Sequence, residues 1–233
     1  MNHTIVIRGL AVAGALSAAL LAGGCQDAAK VAPALYTVTY TNATHGQPLA
    51  PAAVVLHTPG YTPWQIGAAA SDGLELLAEG GDPSGFVNEA AADTAVADAA
   101  SGAGLTLPGN ARTVTVGAPR RPDMRISVAA MLGATNDGFA GLKDALVGDM
   151  AAGESRTFPL SVYDAGTEAN TETAATVPAL MGTGYDAARD DLRDQVTLHA
   201  GVVTADDGLA TSGLGEGHRW LGPGAMVTVQ RDR

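Results

Sequence analysis

Cysteine is all but missing from this chain of 233 residues. Cys25 is the single one, so no intrachain disulfide can form and the fold must rest on its core. Positive charge is scarce as well: 13 Lys and Arg stand against 24 Asp and Glu, a formal net charge of −11. That balance argues against nucleic acid and against an anionic lipid surface as partners. It suits solubility in a periplasmic or extracellular space, and the binding of cations. Aromatic residues make up only 4% of the chain, which leaves few platforms for stacking on sugars. The signatures Gly-x-Ser-x-Gly and His-Glu-x-x-His are absent, and His3, His45, His57, His199 and His218 are scattered.

Long apolar runs are missing too, with one exception near the start. Gly9 to Ala22 is rich in Ala and Leu and is preceded by one charge, Arg8. It is too short for a membrane-spanning helix and has the length of a signal-peptide core. It leads into Leu20-Leu21-Ala22-Gly23-Gly24-Cys25. Small residues before a lone Cys resemble a bacterial lipoprotein cleavage site, although a Leu would more usually stand one position nearer. The expected organisation is a signal peptide over residues 1–24, a lipidated N-terminus and tether over 25–34 with Cys25 as the modified residue, and a folded domain over 35–233. Gln26, where an Asp would favour inner-membrane retention, points to the outer membrane. The protein is then exported and touches the membrane through its lipid anchor alone.

The remainder is rich in strand signals. Leu35 to Asn42 alternates apolar or aromatic residues with Thr. Short runs at 53–56, 113–116, 125–132, 157–162, 196–199 and 225–229 read as further strands, with Pro159 implying an edge position. Two helices are expected early. One is capped by Ser71 or Asp72, with Glu75 completing a capping box on Asp72, and ends at Gly80-Gly81. The other starts at Asp82-Pro83 and runs to about Ala99. The mixed-charge stretch 186–194 reads as a solvated turn or short helix. The fold class is mainly β, an antiparallel β-sandwich with two short helices inserted early in the chain.

Two acidic segments carry the chemistry. Thr135-Asn136-Asp137-Gly138-Phe139 and Tyr163-Asp164-Ala165-Gly166-Thr167-Glu168-Ala169-Asn170 each place a carboxylate where a strand runs out into a loop. Oxygen donors from two loops suit a hard cation such as calcium. Taken on pattern alone, ordinary turn chemistry accounts for them more simply, since Asn-Asp-Gly and Asp-Ala-Gly both stabilise bends. Two carboxylates at loop ends would also serve a glycosidase-like hydrolase, with Trp64 and Trp220 stacking on sugar. A metal-free structural role for an envelope lipoprotein is the third reading.

Four segments, in order, resemble the spondin N-terminal domain family. They are Tyr36-Thr37-Val38-Thr39-Tyr40-Thr41, the helix Ala70-Ser71-Asp72-Gly73-Leu74-Glu75-Leu76-Leu77-Ala78-Glu79-Gly80-Gly81, Thr135 to Gly141, and Tyr163-Asp164-Ala165-Gly166-Thr167-Glu168. The resemblance implies a C2-like β-sandwich with bound calcium, Asp137 and Asp164 as ligands, and a role as an adhesion or interaction module rather than an enzyme. It also implies a further acid from the strand before the Asp137 segment. Thr113 to Gly117 holds none, which leaves Glu168 and Asn170 as the substitutes. The partner is expected to be a protein or glycan at the cell surface or in the periplasm.

Overall fold

The computed structural model describes Met1, residues 32–191 and residues 193–233. Cys25 and the leader therefore lie outside the described residues. Among the described residues there are nine strands: β1 (Ala34–Asn42), β2 (Ala53–His57), β3 (Val96–Ser101), β4 (Ala111–Ala118), β5 (Arg125–Met131), β6 (Gly138–Leu146), β7 (Ser155–Asp164), β8 (Thr197–Leu198) and β9 (Ala225–Arg231). Helices α1 (Asp72–Gly80) and α2 (Ser84–Ala92) lie between β2 and β3. All pairings are antiparallel, in the order β3-β2-β5-β6-β7-β9-β1-β4, with β8 on β7. The two ends of this order meet, because the Asp98 carboxylate of β3 accepts from the Gly117 N–H of β4 at 2.8 Å.

The turn from one sheet to the other happens within β7. Ser155 to Leu160 pairs with β9, and Ser161 to Asp164 pairs with β6. Pro159, which has no N–H to donate, falls where β9 is the paired neighbour, as an edge-type position requires. Alternation of buried and half-buried residues along β1 follows from its aromatic–Thr pattern. Tyr36, Val38 and Tyr40 enter the main core with Val54, Leu56, Val116, Ile126, Val128, Leu160, Val227 and Val229. β2 is buried on both faces. On its outer side Ala53 and Val55 join Leu74, Leu77, Ala78, Phe86 and Ala90 from the helices, together with Trp64 and Phe139. The helical hairpin thus covers the outside of one sheet.

The structure chooses between the two caps offered for α1 and departs from the sequence reading elsewhere. The N-cap of α1 is Ser71, whose hydroxyl accepts from the Leu74 N–H. Glu75 therefore falls one position beyond a capping box, and its carboxylate accepts from Arg189 instead. Helix α2 stops at Ala92. Asp93 folds back on Ala90 and the Ala-rich stretch 96–101 becomes β3, paired with β2. Ladder bonds to a waiting strand outweigh the high helix propensity of Ala. The segment 182–194 contains no helix or strand among its described residues. It is a strap laid over α1: Arg189 donates to Glu75, Asp194 and the Ala70 carbonyl, and it is only 22% exposed.

Candidate metal centre

The register of β6 on β7 pairs Gly138 with Asp164. The residue before β6 and the last residue of β7 therefore meet at one end of the sheet, and the Ala165 N–H donates to the Asp137 carbonyl at 3.2 Å. The loop between β5 and β6 is held by Thr135. Its hydroxyl donates to the Leu132 carbonyl at 2.6 Å and accepts from the Gly138 N–H at 2.9 Å. A simple surface bend would be wet, yet Thr135, Asn136 and Asp137 are all buried, Asp137 at 0% exposure.

The opposite loop wraps the Asp137 carboxylate. Oδ2 accepts from the backbone N–H of Thr167 at 2.8 Å and of Glu168 at 3.2 Å, with the Thr167 hydroxyl 3.4 Å away. Oδ1 is buried and has no hydrogen-bond partner among the described residues. Asp164 binds within its own loop: Oδ1 accepts from the Gly166 N–H at 2.9 Å and Oδ2 from the Asn170 side-chain amide at 2.7 Å. Asn136 bridges the loops, its carbonyl oxygen accepting from the Glu172 N–H at 3.2 Å and its amide nitrogen 3.4 Å from Glu168 Oε2. Gly166 is required here. Its φ of +71° is left-handed, and a Cβ would stand 2.2 Å from the Gln195 carbonyl oxygen.

Negative charge accumulates in this dry place. Burial, then the Asp164 charge, pushes the Asp137 carboxyl up to about 7. Glu168 is pushed up to about 8 by burial and then by Glu79, with Asp137 and Asp190 adding to it. Glu79 is raised by burial, and so is Glu172, which also feels Asp164. Asp137, Asp164, Glu168 and Asn170 are therefore brought to one loop junction. Among the described residues no three Asp, Glu, His or Cys side chains already close on a single point. The groups stand around the junction, several tied by hydrogen bonds through one oxygen, and the donors they offer are all oxygen.

Glu79, Glu172 and His199 escape a reading of the loops alone. Glu79 sits on α1, is 1% exposed, and accepts from the Asp186 N–H of the strap at 3.0 Å. Its signal in the sequence was an acid beside the apolar stripe Leu74, Leu77 and Ala78, at the foot of a helix that packs on the sheet. Glu172 is buried with a left-handed φ of +56°. His199 lies edge-on to Trp220 at a pocket of about 350 Å³ that Pro159, Val162 and Pro223 also line. Trp64 packs against Phe139 and Tyr163 in the second core.

The Spondin_N family model matches residues 39–181, more than half of the chain. The chain belongs to the Spondin_N family. No curated protein matches it. The Spondin_N span runs from β1 through the 3₁₀ turn Pro178–Leu180 and so contains both acidic loops, α1 and Glu79, while most of the strap and β8 and β9 follow it. The candidate site thus lies within the family part of the chain.

Proposed function

We propose that this Spondin_N protein is a calcium-binding interaction module of the cell envelope, exported and held to the membrane by lipid on Cys25. The observation that carries the metal reading is the Asp137 carboxylate, fully buried between two loops with Oδ1 unpartnered. A lone buried anion is among the costlier arrangements in a protein unless it is paired or holds a metal. Asp137, Asp164 and Glu168 would hold the ion, with the Asn170 amide oxygen beside them, and water would fill the rest of a coordination shell of roughly six to eight oxygens. An oxygen-only set fits calcium better than softer metals. The same burial disfavours the hydrolase reading, because Asp137 has no exposed surface on which to meet a glycoside.

Bound calcium would pin the two loops and fix the surface at that end of the sandwich, the face offered to a protein or glycan partner. Extracellular calcium modules bind at about 10⁻⁴–10⁻³ M. Thermal melts in EDTA and in millimolar calcium are therefore the test. The midpoint should rise with calcium in the wild type and stay put in Asp164→Ala. An unchanged midpoint in both would sink the metal reading. Fatty-acid labelling that persists in Cys25→Ser would overturn the lipid assignment.

A further inference from the structure

The acid that β4 does not supply has a counterpart in space on α1. Glu79 is the penultimate residue of α1 as Ser71 and Gly81 cap it, and the packing of Leu74, Leu77 and Ala78 on the sheet directs that end toward the loop junction. One carboxylate oxygen, Oε2, accepts from the Asp186 N–H. The other, Oε1, is buried and has no partner among the described residues. Glu79 lies close enough to Asp137 and Glu168 for its charge to act on both carboxyls. Glu79 and Asp137 thus each have one oxygen satisfied by backbone and one left bare. Two bare oxygens of like charge, both taken out of water, are unfavourable together unless a cation sits near them.

We propose that Glu79 supplies a further carboxylate oxygen to the metal centre from α1, so that one bound calcium ties the helical hairpin to both loops. This rests on the calcium reading above. It gives the ion four acidic side chains from three separate parts of the chain: Glu79, Asp137, Asp164 and Glu168. It also gives α1 a stake in the metal that Asp137 and Asp164 alone would not. The strap shares that stake, because Asp186 holds Glu79 through Oε2 and Asp190 holds the second loop, its carboxylate accepting from the Ala169 N–H and its own N–H donating to the Thr167 carbonyl.

The experiment uses the folded domain with calcium titrated calorimetrically, terbium luminescence lifetimes to count metal-bound waters, and amide exchange across 72–80. Glu79→Gln should weaken calcium binding by about tenfold or more and add about one water to bound terbium, as expected when one of six to eight oxygen ligands is lost. In the wild type calcium should slow exchange along α1, and in Glu79→Gln it should not. Glu79→Asp, which keeps the charge on a shorter arm, should fall between the two. If the wild type binds calcium and Glu79→Gln matches it in affinity, water count and α1 protection, Glu79 is not a ligand and the loop-only site stands. If the wild type binds no calcium, the underlying reading fails and this one with it. A variant with less calcium affinity but an unchanged water count would make Glu79 a support of the fold and overturn the assignment.

Discussion

Asp137→Asn should make the metal-free domain more stable, not less, and by an amount that depends on pH. The Asp137 carboxyl titrates at about 7 in the folded chain, chiefly because it is buried, against about 3.9 for an unfolded Asp. Between those values the folded state binds more protons than the unfolded one, so stability falls as pH rises from about 4 to 7 and is then level. Three pK units amount to about 4 kcal/mol, an upper bound on what the ionised side chain costs at pH 8. Asn keeps an oxygen for the Thr167 and Glu168 N–H groups, and its amide is neutral where the bare carboxylate oxygen was. Urea unfolding in EDTA should therefore show the variant more stable by about 2–4 kcal/mol at pH 8, and the two chains nearly equal at pH 4. In a domain of this size that corresponds to a midpoint higher by several degrees, on the order of 10 °C. Calcium at about 100 times its dissociation constant would add about 2.7 kcal/mol to the wild type and little to the variant. A variant less stable than the wild type at pH 8 without metal, with an unchanged pH profile, would refute this account of the buried charge.

Other perturbations separate the scaffold from the site. Gly166→Ala forces a side chain into a left-handed backbone against the Gln195 carbonyl; it should cost more than about 1–2 kcal/mol and abolish any calcium-induced shift, as read by denaturation with and without the ion. Leu77→Ala removes a fully buried side chain between α1 and the sheet, and should lower stability by about 2–5 kcal/mol while leaving the terbium water count as it was. His57 is held neutral by burial, between the Thr58 carbonyl and the Ser127 hydroxyl, and its pKa is lowered. The unfolded state then binds the extra proton, so this contribution is present above about pH 6.5 and is lost as pH falls below it. The acid limb of a pH-stability curve should accordingly be flatter in His57→Gln than in the wild type.

The strands that could be read in advance are those whose side chains do the packing. β1, β4, β5 and β9 carry Val, Ile, Tyr or Thr at alternate positions and lie close to where the pattern put them. β6 carries no such pattern and is not among the strands the sequence predicts. Its small residues have a cause that only packing reveals: a Cβ at Gly141 would stand 2.6 Å from the Trp64 ring. β3 looked like the end of a helix because its Ala residues say nothing about the neighbour waiting at β2. The site divides along the same line. Asp137 and Asp164 announce themselves by motif, and a strand register of one residue pair joins them. Glu79 announces itself only as an acid on a helix. Its place depends on how Leu74, Leu77 and Ala78 seat that helix, a matter of tertiary contact rather than local sequence.

The position of β9 governs the order of assembly. The last strand among the described residues lies between β1, the first of them, and β7, and pairs with both along most of its length. A growing chain cannot hold the sandwich closed until Arg231 has emerged, because the gap that β9 fills lies in the interior of the sheet and not at its rim. Val227 and Val229 then complete a core that β1 began nearly two hundred residues earlier. Such distant closure makes folding slow. It also makes removal of residues 225–233 a different injury from trimming a tail: the wall of the sandwich would lose a middle stave.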